Sequence, residues 1–226
     1  MSMKRYDHDT TVEHASAQDQ SRINVAVVLA WSVSLAILLL GLIAYGQTPG
    51  ALNEPPQGAS FNHELDTSRY TLMVAVHPRC PCTAASLHEL DRIIRQSQDR
   101  LHVTMLVYRP ANQIDEWTVP KAVDSMEQHG NVIWKWDEEG MVAQALGCMT
   151  SGSVVLYSPD QKPLFWGGIT SSRGHTGDNA GSQSILSILE TGSVRLRTNP
   201  VYGCSLVTPD VSQGNSDGPG RCNTVK

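Results

Sequence analysis

No stretch of this chain is strongly basic. Its 17 Lys and Arg are outnumbered by 22 Asp and Glu, for a net charge of −5, which argues against a general nucleic-acid binder. Cysteine is sparse, and five residues are too few for a disulfide scaffold. Two of them share one short motif, while Cys148, Cys204 and Cys222 are dispersed. There is no Walker-type phosphate loop, dinucleotide fingerprint, HExxH helix or Gly-x-Ser-x-Gly elbow, so serine or metal hydrolase chemistry has no support. No internal repeat is apparent. What is present, 226 residues at 40% hydrophobic content, allows one globular domain with additional segments.

Charge is missing altogether from Ile23 to Gly46, where Asn24 and two serines are the only interruptions. As a helix this run measures about 36 Å, enough for a bilayer core of about 30 Å. Lys4, Arg5 and Arg22 precede it, and no Lys or Arg occurs from Gln47 through Ser68. The positive-inside rule then puts the N-terminus in the cytoplasm and everything after Gly46 outside. A cleavable signal peptide ending at Ala44-Tyr45-Gly46 is the alternative. Residues 1–22 are polar, with no fold evident, and read as a solvated tail. Residues 47–68, with Pro49, Pro55 and Pro56, read as a linker.

The chemistry centres on Thr71 to Leu90, TLMVAVHPRCPCTAASLHEL. Tyr70 to His77 is apolar without charge, as expected of a strand buried on both faces. Ala84, Leu87, Leu90 and Ile94 then recur at helical spacing, with Glu89, Asp91, Arg92 and Arg95 between them. Pro suits the first position of a helix, which makes Pro81 that residue and Cys80 the N-cap. Unpaired N–H groups and the positive dipole end then favour a thiolate at Cys80, with Arg79 adding charge. A thiolate beside a second thiol is the minimum for disulfide exchange. An inert disulfide or two buried thiols is the bland alternative.

The rest of the domain reads as alternating elements. Strands are expected at Leu101–Tyr108, Asn131–Trp136, Ser153–Ser158 and Pro163–Trp166, the last at the rim because of its proline. Helical stretches are expected near Lys121–His129, over Glu138–Leu146 with Asp137 as cap, and at Ile185–Leu189 ended by Gly192. Strand–helix–strand at the start makes a right-handed parallel unit.

With its HPRCPC turn, Thr150-Ser151-Gly152 and the Gly167 to Gly181 segment containing Arg173-Gly174-His175, the chain resembles the thioredoxin-like superfamily. Within it, membrane-anchored RedB-like proteins with a CPC motif are most similar, over roughly residues 70–205. The resemblance implies an α/β fold, a thioredoxin-like three-layer sandwich with a mixed central sheet, preceded by one transmembrane helix. It divides the chain into a tail (1–22), a signal anchor (23–46), a linker (47–68), the domain (69–193) and a partly disordered extension (194–226). It also implies that Thr150, Ser151 and Gly152 stand where the family's cis-proline loop faces the cysteines and presents backbone to substrate, with Pro81 beside them.

The expected function is a thiol–disulfide oxidoreductase acting on protein thiols or disulfides in the periplasm. The chain is held in the bacterial inner membrane by residues 23–46 and needs no cofactor. Cys80 attacks or is attacked and Cys82, taken as the less exposed, resolves. Aligning Pro81-Cys82 with the end of a thioredoxin motif instead makes Cys82 the second cysteine, with Arg79 in the first one's place. A disulfide across one residue closes a small strained ring, which suits oxidation or isomerisation. Two other classes stay open. One is a copper-binding chaperone using Cys80, Cys82, His77 and His175, and the other is a non-catalytic scaffold. Cys148 is expected to be a buried apolar residue. Cys204 and Cys222 either pair or one of them resolves a disulfide at Cys80. The polar loop carrying His175 has a plain reading as a turn capped by Asp178.

Overall fold

The computed structural model describes residues 9–56, 65–112 and 117–206, and in the N-terminal helix its side chains from Arg22 onward. The chain divides into two compact units, residues 1–46 and 47–226.

The first unit is a single helix, α1 (Asp9–Gly46). Its segment Arg22–Gly46 is long and apolar enough to cross a membrane, by length and composition. Ser32 and Ser34 donate their hydroxyls to the carbonyls of Val28 and Ala30 at 2.8 and 2.9 Å. The polar groups inside the apolar run are thus spent on the helix's own backbone. Helix already begins at Asp9, where the sequence suggested an unfolded tail to residue 22. Extending a formed helix costs far less than nucleating one.

The second unit is built on a six-stranded mixed sheet of order β3-β2-β1-β4-β5-β6. The strands are β1 (Tyr70–Val76), β2 (Leu101–Arg109), β3 (Val132–Glu138), β4 (Ser153–Tyr157), β5 (Pro163–Gly168) and β6 (Thr198–Asn199). β1, β2 and β3 pair in parallel, β4 runs antiparallel to β1 and β5, and β6 is parallel to β5. The expected rim strand β5 is therefore covered by a two-residue β6. Helix α2 (Thr83–Gln96) links β1 to β2, and α5 (Ala180–Thr191) follows β5. Between β2 and β3 lies α3 (Lys121–Asp124), which continues as a 3₁₀ turn over Ser125–His129.

β1 shows why this is a three-layer fold. Leu72, Val74 and Val76 face Leu87, Leu90 and Ile93 of α2 and Ile185 and Ile188 of α5. Met73 and Ala75 face the other side, with Leu146, Tyr157 and Leu206. Each fully buried Leu or Ile contributes roughly 1.5–3 kcal/mol, so a strand apolar on both faces is stable only between two layers. On that second face α4 (Met141–Ala145) is shorter than expected. Its N-cap is Gly140 rather than Asp137, which lies within β3 and from there accepts the N–H groups of Val142 and Ala143 at 2.9 Å each.

The domain is wider than residues 69–193. Part of the expected linker lies along it: Gly50 donates to the Val201 carbonyl (2.8 Å) and Asn53 to the Gly147 carbonyl (2.9 Å), and Pro55 is buried. Downstream, Val201, Cys204 and Leu206 are buried and Ser205 bridges Thr150. The proline- and glycine-rich stretch looked like a spacer, yet backbone groups of Gly50 and Asn53 find partners on the domain. The stretch expected to be disordered, 212–220, lies outside the described residues.

Candidate active site

β1 delivers the chain to the paired-cysteine turn at its C-terminal end. Cys80 N donates to the His77 carbonyl (3.0 Å), and Thr83 N donates to the Cys80 carbonyl (3.1 Å). These successive tight turns delay the helix. Its N-cap is Cys82 (φ −74°, ψ −16°), without a side-chain cap, rather than Cys80. The Cys80 carbonyl is committed to an i→i+3 turn, so the first α-type bond runs from Ser86 N to the Cys82 carbonyl (3.3 Å).

Exposure is also the reverse of expectation. Cys80 is 5% exposed, whereas Cys82 is half-buried and Pro81 exposed. Both thiols are free. The Cys82 thiol is pushed above its ordinary value, first by burial and then by the negative charge of Cys80, with the guanidinium of Arg173 acting in the opposite direction. The Arg79 guanidinium lies over the Trp117 ring at 4.1 Å.

Thr150, Ser151 and Gly152 do lie against this turn. Ser151 Oγ accepts the His77 N–H at 2.9 Å and sits 3.2 Å from Thr83 Oγ1. Thr83 Oγ1 donates to the His77 carbonyl at 3.0 Å, so Ser151 is the donor between the two hydroxyls. Gly152 N donates to the Ala75 carbonyl and Ser151 N to the Cys204 carbonyl, both at 2.8 Å. Thr150 donates its hydroxyl to the Ala51 carbonyl at 2.8 Å. All three residues are buried. The loop supports the turn from beneath and does not offer backbone outward, because residues 200–206 cover it.

Arg173 is a site residue that the sequence did not single out. It stands in the quoted Gly-rich segment, but no spacing ties it to residue 82. Its Nη1 donates to the Gly203 carbonyl (2.6 Å) and its Nη2 to that of Thr48 (3.4 Å). The loop around it is moored to α2. Buried Glu89 accepts the Gly177 N–H at 2.6 Å and an Asn179 N–H at 3.4 Å, and pairs with Arg92 at 2.9 Å. Asp178 does not cap the turn but pairs with Arg92 at 2.9 Å. Asn179 caps α5, accepting the Ser182 N–H at 2.8 Å.

The four donors considered for copper are not gathered. Among the described residues no three His, Cys, Asp or Glu side chains form a metal-binding group. His77 is stacked on Tyr108, with ring centroids 5.1 Å apart, and edge-on to Trp117 at 5.5 Å. Its Nδ1 accepts the Arg79 N–H at 3.2 Å. Burial, then Arg79, holds His77 below its ordinary value. His175 is exposed, with Nδ1 2.8 Å from the Arg173 carbonyl. Two thiols alone come together.

The other cysteines are sequestered. Cys148 is buried, and burial followed by the Asp137 charge pushes its thiol up to about 12. Cys204 is disulfide-bonded; Cys222, its expected partner, lies outside the described residues.

A parallel β-α-β unit joined to an antiparallel β-β-α unit, with paired thiols between the first strand and its helix, defines a thioredoxin-like fold. No protein-family model matches the chain, and no curated protein matches it. Among solved structures, the chain is similar to the hypothetical protein SMc02350 from Sinorhizobium meliloti 1021. Identity there is 18% and the TM-score 0.55, over 72% of this chain and 98% of that one. An uncharacterized conserved protein from Geobacillus kaustophilus has 22% identity and a TM-score of 0.53, over 73% and 92%. A secreted Mycobacterium tuberculosis disulfide oxidoreductase homologous to E. coli DsbE has 12% identity and a TM-score of 0.37, over 65% and 96%.

Proposed function

We propose that this chain is a membrane-anchored thiol–disulfide oxidoreductase of RedB-like type, exchanging disulfides with extracytoplasmic protein thiols through Cys80 and Cys82. The observation that carries the reading is the unequal pair of free thiols at the end of β1, one buried and one reachable. The HPRCPC turn and the two downstream motifs support the RedB-like likeness. The apolar helix supports the anchor, with the domain on the periplasmic side of an inner membrane.

Exposure decides the order of events. A substrate thiolate attacks the reachable Cys82 sulfur of the oxidised pair, forms a substrate–Cys82 disulfide and releases Cys80 as thiolate. A second substrate thiolate then attacks the substrate sulfur and releases Cys82, which takes up a proton. Two electrons pass from the substrate dithiol to the pair, and no cofactor enters. In the reverse direction Cys82 attacks a substrate disulfide and Cys80 resolves.

The test is trapping. A Cys80→Ser variant is expected to accumulate mixed disulfides at Cys82, visible as reducible adducts in non-reducing gels. Cys82→Ser, left with a buried thiol, is expected to trap few. Equal or opposite trapping overturns the assignment of Cys82, and no exchange by the unmodified protein with any dithiol or disulfide peptide overturns the function.

A further inference from the structure

Arg79 is an exposed cation in the cysteine turn, and aromatic rings hold it in place. Its backbone N–H donates to His77 Nδ1 at 3.2 Å, and its guanidinium lies 4.1 Å from the centre of the Trp117 ring. Trp117 is itself set edge-on to His77 at 5.5 Å and to Tyr108 at 5.6 Å. Residues from three separate parts of the chain thus position one guanidinium, and a cation over an aromatic face is attracted to that place.

What this cation lacks is an acid. Arg69, Arg92, Arg95 and Arg109 each pair with a carboxylate, at 2.8, 2.9, 2.8 and 2.8 Å. Arg79 makes neither an ion pair nor a side-chain hydrogen bond among the described residues, so its planar set of N–H donors is left for a partner. Cys82, the reachable thiol, follows three residues later. Their Cα atoms are therefore no more than about 11 Å apart, and Pro81 between them is exposed. A side chain one residue away from a cysteine joined to Cys82 falls within that reach.

We propose that Arg79, held over Trp117, is a specificity residue of the exchange: it selects protein substrates that carry Asp or Glu beside the reactive cysteine. The inference rests on the exchange reading above and names its substrate class. A carboxylate matches the planar fork of a guanidinium and can take two of its donors at once. The chain's net charge of −5 repels acidic partners at long range. A preference for them runs against that field and has to come from a local cation.

The experiment uses the full chain in non-ionic detergent with Cys80→Ser as background, leaving Cys82 as the reachable thiol. The probes are the capped peptides Gly-Glu-Cys-Glu-Gly and Gly-Gln-Cys-Gln-Gly, each as its 2-pyridyl disulfide. The Cys82 thiolate attacks the peptide sulfur, a Cys82–peptide disulfide forms, and thiopyridone leaves with the electron pair and is protonated. Its absorbance gives the rate, which is divided by that of the same peptide with mercaptoethanol to remove intrinsic reactivity.

The Glu peptide is expected to react about threefold faster than the Gln peptide at low salt, with the preference fading as salt is raised. Adding Arg79→Gln is expected to remove the preference and Trp117→Leu to reduce it, while Arg79→Lys keeps most of it. Cys148, buried, reports unfolding if it reacts; should a variant expose it, the salt dependence of the background protein decides. Equal rates, a faster Gln peptide, or a preference left unchanged by Arg79→Gln or by Trp117→Leu overturns the proposal. Equal rates leave the exchange reading standing, whereas reaction with neither peptide overturns both.

Discussion

Burial and the charge of Cys80 hold the proton on Cys82, and Arg173 works against both. Cys148 lacks any such counterweight, and its thiol, at about 12, stays inert at neutral pH. Gly152 shows how tightly the support under the pair is built. Its φ of +89° lies where L side chains are strained, and a Cβ would sit 2.7 Å from Ser86 Oγ on α2. The serine side chain can rotate away, but the backbone angle cannot relax without breaking the Gly152 N–H bond to Ala75. Gly152→Ala is therefore expected to cost about 1–3 kcal/mol, read as a lower urea midpoint with unchanged slope. An unchanged midpoint would show the turn to be more tolerant than its geometry.

Helix α2 does two jobs with two faces. Leu87, Leu90, Ile93 and Ile94 anchor it on the sheet, and their helical spacing makes that face legible from the residues alone. Glu89 and Arg92 belonged, by the same spacing, to the polar face and so to solvent. Instead Glu89 is buried, because the chain entering α5 closes over it and needs an acceptor for the Gly177 N–H. A Glu89→Gln variant removes the charge and leaves Arg92 with Asp178 as its acidic partner. The expected loss is about 2–4 kcal/mol in denaturant unfolding, with faster hydrogen exchange at the Gly177 amide. Loss of stability without faster exchange there would separate the helix from the loop and weaken the view that α2 moors Arg173. The turn itself was legible as a cysteine turn leading into a helix. Its N-cap was not, since Pro81 suits either the first helical position or the tight turn that it occupies.

At the scale of the chain, α1 and the folded domain are separate units. The apolar length of α1 and the basic residues before it lead to one expectation for cells. Protease added to spheroplasts should degrade the domain and leave a membrane-bound fragment containing the first twenty or so residues. A protected domain would reverse the orientation, and a chain released by carbonate would remove the anchor. The domain's own edges are set by long-range pairing. Residues 48–53 reach Gly147, Thr150, Arg173 and Val201, and residues 203–206 reach Met149, Thr150, Ser151 and Arg173.

What the amino-acid order determined alone is whatever local physics can enforce. An uncharged run at α1 has to be helical if it lies in lipid, and β1, apolar on both faces from Leu72 to Val76, has to lie between layers. Periodicity set α2, and a cysteine-rich turn had to join the two. Tertiary structure decided which sulfur is reachable and that a helix carboxylate is buried. Those outcomes rest on pairs such as Arg173 with Gly203, Glu89 with Gly177 and Ser151 with Cys204. Each pair joins residues separated by one or more folded elements. Their meeting follows from the order in which strands enter the sheet, and no spacing along the chain carries that information.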